Sequence, residues 1–165
     1  LEEVIRQSAC EECTVKFITP TQFLEDDPEL ETARPAFSSW GQGGFSSTWL
    51  DGSNAWIYRH IHQSIERMEE LALRFPDQMS LKRRFLNQAA REILLAMDSD
   101  WPFIMYHKSG GQYAQKRLEE HLQNFNVVYS NMCKNAVNTE WLVKAEKKDV
   151  IFKDIDYNIF SPKRQ

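Results

Sequence analysis

The sequence predicts an all-α fold: a helical bundle of three long helices plus shorter ones, with a long aromatic and glycine-rich loop and room for one short N-terminal strand. Three observations carry this. First, apolar residues recur at helical spacings of three and four in three separate runs. These are Ile57, Ile61, Ile65, Met68, Leu71 and Phe75; then Leu81, Phe85, Ala89, Ile93 and Ala96 or Met97; then Tyr113, Leu118, Leu122, Phe125, Val128 and Tyr129. Second, the runs are punctuated by Pro76, by Pro102 and by the pair Gly110-Gly111. Third, strand-like alternation is confined to Thr14-Val15-Lys16-Phe17-Ile18. Helices joined by short turns pack most simply as an antiparallel bundle.

Composition narrows the class. The chain has 165 residues, 42% hydrophobic and 12% aromatic, with six prolines, which is globular and of single-domain size. A formal charge of -4 and a pI near 5.6 argue against a nucleic-acid partner, which calls for a basic face. No apolar run reaches the roughly 18 residues of a membrane span. Leu1 opens the chain without Met or a signal-like pattern, so the expectation is an excised piece of a longer protein. Three cysteines, an odd number, fit a reducing compartment, with the cytoplasm as the expected location.

Taken in order, Leu1, Val4 and Ile5 share a helical stripe ahead of the strand at 14–18. Cys10 and Cys13 form a C-x-x-C, but no second pair follows at metal spacing and Cys133 stands alone, so no metal site is expected. Thr19-Pro20 starts a short helix through Leu24, with Thr19 as N-cap. Residues 25–54 then lack either period and exceed ordinary loop length, which marks a functional loop. Its core reads Ser38-Ser39-Trp40-Gly41-Gln42-Gly43-Gly44-Phe45-Ser46-Ser47-Thr48-Trp49. The glycines allow tight turns that present aromatics, yet neither G-x-G-x-x-G nor a Walker lysine is present, so nucleotide binding is not expected.

Asn54 or Ser53 is positioned to cap the helix from Trp56 to Phe75. His60 and His62 lie two apart on it and point in different directions, a poor metal pair. Lys82, Arg83 and Arg84 read as a solvated basic face. The helix from Ser80 to Met97 should stop before Pro102, leaving Trp101 on a sharp exit. A third helix runs from Ser109 to Met132, and a short one, capped by Asn138 or Thr139, turns Trp141 and Leu142 inward. The apolar ending from Val150 to Phe160 should dock, with Asp154 and Asp156 in structural roles.

No nucleophile elbow, H-E-x-x-H or Cys/His constellation occurs. What remains is the aromatic loop and the corner Ser99-Asp100-Trp101-Pro102-Phe103. An indole offers a flat apolar face and a carboxylate accepts bonds from neighbouring hydroxyls, a combination suited to sugars. The competing reading is that these aromatics close the core.

Several strings here are similar to a known family. Ser38-Ser39-Trp40-Gly41-Gln42-Gly43-Gly44 with Trp49, then Trp56-Ile57-Tyr58-Arg59, resembles the C-terminal helical region of glycoside hydrolase family 57. Ala90 to Phe103, Tyr113-Ala114 with Arg117 and His121, and Ile151 to Tyr157 resemble that region as well. The resemblance covers nearly the whole chain and is strongest to the α-1,4-glucan branching enzymes and related amylases. It implies that residues 1–24 end, or link to, a preceding catalytic region and that 25–165 form one substrate-binding unit. It implies a parent enzyme whose (β/α) barrel carries two catalytic carboxylates, so that no catalytic residue lies in this chain. The helical region would then hold an α-1,4-glucan through Trp40, Trp49, Asp100 and Trp101, with no cofactor or metal. Its expected partners are the glucan and that barrel. Gln42 stands where many relatives carry an acid, and His107-Lys108-Ser109-Gly110-Gly111 replaces a threonine-rich turn. Related alternatives are a 4-α-glucanotransferase or α-amylase parent, or a non-catalytic interaction module in which the tryptophans are buried.

Overall fold

The structure, a computed structural model, describes residues 2–9, 16–26 and 29–162. It divides into two compact units, Leu1–Phe37 and Ser38–Gln165. In the first, α1 (Glu2–Ser8) and α2 (Pro20–Asp26) bury no residue. The expected capping at Thr19 is present: its hydroxyl accepts the Gln22 backbone N–H at 3.2 Å, and the Gln22 side chain accepts the Thr19 N–H at 2.9 Å. Among the described residues there is no strand. Lys16 to Ile18 are irregular, while Thr14, Val15 and the Cys10–Cys13 pair lie outside the described residues.

The second unit holds α3 (Trp56–Arg74), α4 (Ser80–Ala96), α5 (Asp100–His107), α6 (Gly111–Cys133) and α7 (Thr139–Lys148). Helix α3 buries Ile57, Ile61, Ser64, Met68, Leu71 and Ala72, the stripe its periodicity predicts. Phe75 leaves the helix at φ -127°, ψ 60° because Pro76 follows. Its N-terminus departs from expectation: Ala55 occupies the cap position with no side-chain bond, and Asn54 is used elsewhere.

Helix α4 packs along α3 and α6. One buried cluster joins Met68, Leu71, Phe85, Leu86, Ala89, Ile93, Phe125, Val128, Met132, Leu142 and Tyr157. A second joins Ile57, Ile61, Ala96, Met105, Ala114, Leu118 and Leu122. Early residues of α3 thus meet early residues of α6, and both meet the end of α4, so α4 runs against its two neighbours. Tyr113 is exposed, against expectation. Ala114, four residues before Leu118, takes the inward position instead.

Pro102 does not bar a helix; it sits in the first turn of one, where its missing N–H has no intrahelical partner to lose. Asp98 starts α5 by accepting the Asp100 N–H at 3.0 Å. Helix α5 packs on α6 across a turn in which Lys108 and Gly110 take left-handed backbone, φ 58° and 98°. Asn138 caps α7 by accepting the Trp141 N–H at 3.0 Å.

Part of the C-terminal stretch docks as expected, through Ile155, Tyr157 and Phe160, while Val150, Ile151, Phe152 and Ile159 stay exposed. Tyr157 is fully buried; its hydroxyl donates to the Phe75 carbonyl at 2.6 Å and accepts the Gln78 N–H at 2.8 Å. Asp156 caps the short 3-10 turn Tyr157–Phe160 by accepting the Asn158 N–H, and nothing in its contacts suggests catalysis. The basic run on α4 is not a purely solvated face. Arg83 pairs with Asp156 at 3.4 Å and Arg84 with Glu146 at 2.5 Å, tying the tail and α7 to α4.

Candidate functional site

The aromatic loop is folded on itself before it meets any helix. The Ser39 N–H donates to the Gly44 carbonyl at 2.7 Å, and the Ser39 hydroxyl accepts the Ser46 N–H at 2.6 Å. Ser47 closes the other side, its hydroxyl donating to the Gln42 carbonyl at 2.9 Å. Gly41 is required on two counts. Its φ of +98° is left-handed, and a Cβ there would lie 2.6 Å from the buried Thr48 hydroxyl oxygen and 3.2 Å from the Trp49 ring.

The loop is then fastened to α5 by Asn54, which is fully buried. Its amide donates to the carbonyls of Thr48 at 2.8 Å and Pro102 at 3.0 Å, while its oxygen accepts the Asp51 N–H at 2.9 Å. The Trp49 indole N–H adds a bond to the Ser99 carbonyl at 3.2 Å. Nearby, the Asp51 carboxyl is held below its usual range, chiefly by the Ser53 backbone N–H and then by its hydroxyl, with Lys108 contributing.

These ties bring Trp40, Trp49, Ser99, Asp100 and Phe103 around a pocket of about 310 Å³. Trp40 meets Trp49 edge-on at 6.0 Å, and Phe103 lies 5.7 Å from Trp40 and 6.3 Å from Trp49. Trp40 is 73% exposed, so its ring faces are open to a ligand. The Asp100 carboxylate is exposed and makes no hydrogen bond or ion pair to the described residues. The arrangement can stack a sugar face on an indole while a carboxylate accepts its hydroxyls. Among the described residues Asp100 is the only acid lining this pocket, whereas two-carboxylate hydrolysis of a glycoside uses a pair about 5–9 Å apart across the bond.

Of the four expected binding residues, Trp40, Trp49 and Asp100 come together and Trp101 does not. Trp101 is half-buried, donates its indole N–H to the Leu95 carbonyl at 2.7 Å, and packs near Tyr113 and His121. Phe103, which takes its place in the pocket, and Asn54, which positions both walls, were not among the expected residues. The signal for Phe103 was present: it lies three residues after Asp100, hence on the same helical face once Pro102 is placed inside the helix.

A second polar cluster lies inside the bundle. Glu92 and His121 are fully buried, with His121 Nδ1 2.7 Å from the Glu92 carboxylate, and Gln88 donates to the other Glu92 oxygen at 2.7 Å. With Asp149 they offer three donor atoms within 4.8 Å of one another, the only such group among the described residues. Asp149 also holds Arg117 at 2.8 Å and Gln88 binds Arg91, while His121 Nε2 is buried with no hydrogen-bond partner among the described residues. His60 and His62 border a hollow of about 540 Å³ lined, among the described residues, by α3 alone, and His60 packs edge-on against Trp56. No helix among the described residues is long and apolar enough to cross a membrane.

Comparison with known proteins bears on the family and the fold. The α-amylase AmyC of Thermotoga maritima superposes with a TM-score of 0.76 at 32% identity, over 99% of this chain and 29% of that one. The GH57-type branching enzyme of Pyrococcus horikoshii gives 0.81 at 27% identity, over 98% and 30%. The 1,4-alpha-glucan branching enzyme TK1436 of Thermococcus kodakarensis is 29% identical over 144 residues, 83% of this chain and 21% of that protein. Its crystal structure, in complex with glucose and additives, gives a TM-score of 0.80. The chain therefore spans less than a third of the length of these relatives. Residues 60–160 match the family described as "1,4-alpha-glucan branching enzyme, C-terminal", and it is to this C-terminal helical family of glycoside hydrolase family 57 that the chain belongs.

Proposed function

We propose that this chain is the glucan-gripping part of an enzyme that cleaves α-1,4-glucan chains and transfers them to form α-1,6 branches. The observation that carries the binding role is the open face of Trp40 beside the exposed carboxylate of Asp100. An interaction module that closed its tryptophans into the core would bury Trp40, and it does not. Asp100, the only acid lining the pocket among the described residues, fits the holding of sugar hydroxyls. On this reading the retaining chemistry belongs to two carboxylates of a barrel in the parent protein, and Trp40 and Trp49 stack glucose units while Asp100 fixes hydroxyls. The barrel and an α-1,4-glucan of amylose or glycogen type are then its partners. A cytoplasmic role in glycogen synthesis follows from the same reading.

The test is a fluorescence titration of the chain with maltoheptaose, alongside Trp40→Ala and Asp100→Ala. Saturable quenching that both variants lose supports the reading. No response from a chain shown helical by circular dichroism rejects an autonomous glucan site. The likeness to AmyC keeps an amylase parent as a second reading. Product analysis of the full-length enzyme separates them: new α-1,6 linkages mark branching, and shortened linear chains mark hydrolysis.

A further inference from the structure

The ring surface does not end at Phe103. One turn further along α5, the His107 imidazole packs on the Phe103 ring with centroids 4.3 Å apart and planes inclined by 54°. Tyr106 meets the same imidazole edge-on at 5.1 Å. Asp100, Phe103 and His107 follow one another at i, i+3 and i+7, which places them on one face of the helix. Since Phe103 also touches Trp40 and Trp49, the rings form one connected strip from the loop to the C-terminal end of α5.

Core packing does not account for this strip. Neither Phe103 nor His107 belongs to, or packs against, either buried cluster, and His107 is exposed. An imidazole in that position combines a flat face with a nitrogen donor and a nitrogen acceptor, the inventory a sugar ring and its hydroxyls call for.

We propose that Phe103 and His107 form a further sugar subsite, taking the glucose unit next beyond those at Trp40 and Trp49 on a linear α-1,4-glucan. His107 then sets how long a chain the surface grips. The inference rests on the reading of the Trp40–Trp49–Asp100 pocket as a glucan site, and the experiment separates the two.

Dissociation constants of the chain for maltose and maltoheptaose are measured for the wild type, His107→Ala, His107→Phe and Trp40→Ala. His107 is exposed, so its replacement leaves the core intact. The expected result is that His107→Ala weakens maltoheptaose by about fivefold, the scale of one lost ring contact, and leaves maltose unchanged. His107→Phe recovers most of that loss, and Trp40→Ala weakens both sugars. If both His107 variants match the wild type for both sugars while Trp40→Ala still weakens them, the subsite is overturned and the pocket stands. If the folded wild type binds neither sugar, the pocket reading falls and the subsite with it.

Discussion

Replacing Asn54 by alanine should unfasten the site from the bundle. The substitution deletes three hydrogen bonds, to the Thr48 carbonyl, the Pro102 carbonyl and the Asp51 N–H. Each such bond is worth about 1 kcal/mol net, which gives about 3 kcal/mol if no group finds a new partner. Asp51 is half-exposed, so water can reach its N–H and that share is partly recovered. Thr48 and Pro102 are buried residues, so water replaces the lost bonds to their carbonyls less readily. The expected loss is therefore about 2–3 kcal/mol, a large part of the 5–15 kcal/mol that stabilises an ordinary domain. Urea unfolding followed by far-ultraviolet circular dichroism measures it as a lower midpoint at unchanged slope. Glucan affinity should fall as well, because Trp40 and Trp49 lose their register against Asp100 and Phe103. A variant within about 0.5 kcal/mol of the wild type would refute the assignment, since that is the ordinary scatter of surface substitutions.

Three further outcomes follow from the same structure. Gly41→Ala should cost about 1–3 kcal/mol and abolish binding at Trp40, because the new Cβ meets Thr48 at 2.6 Å on left-handed backbone; a thermal melt and the maltoheptaose titration check both. Tyr157→Phe should cost about 1–2 kcal/mol, since it strips the Gln78 N–H and Phe75 carbonyl of their partner while keeping the ring; unchanged urea stability would refute it. Glu120 titrates below its ordinary value, first because Lys148 hydrogen-bonds to its carboxylate and then through Arg117 against the opposing effect of burial. A carboxyl depressed on folding binds fewer protons folded than unfolded, so its stabilisation is present above pH 4.5 and fades as pH falls through the folded value. Glu120→Gln should flatten the acid limb of stability against pH, and an unchanged limb would remove Glu120 as a contributor.

The long helices were legible because burial on one face imposes a period that a single sequence displays. Ile57 to Leu71 and Phe85 to Ala96 show it without any interruption by glycine or proline. Helix α5 was not legible, since Pro102 was read as a stop, whereas a proline in the first turn is compatible with a start. That one boundary grouped Trp101 with the loop aromatics, whereas it lies outside their pocket. On a helix, neighbours point about 100° apart, so Asp100 facing the pocket turns Trp101 to the core and brings Phe103 back to the pocket. Trp40 and Trp49 were legible as unusual residues between glycines. Asn54 was read as a helix cap because its type suits one, and only the fold shows that two distant carbonyls claim its amide first. The Glu92–His121 pair is invisible in pattern: polar residues on apolar stripes give no sign of which will meet across two helices.

The two walls of the pocket are far apart along the chain, since Trp49 reaches Ser99 and Asn54 reaches Pro102. Between them lie all of α3 and α4, so closing the site means closing a helical hairpin first, with the loop entropy that entails. Contacts of such long separation form after local helix, and the pocket is expected to appear late in refolding, once α3 and α4 have zipped together. The ring cluster of Trp40, Trp49 and Phe103 then serves as an internal clock for assembly: stopped-flow tryptophan emission should lag the helical signal, and weakening the α3–α4 contact at Met68 or Phe85 should slow it. Ligand bound at that late-forming seam would hold the hairpin shut, so a glucan would act on this domain as a kinetic clamp against unfolding.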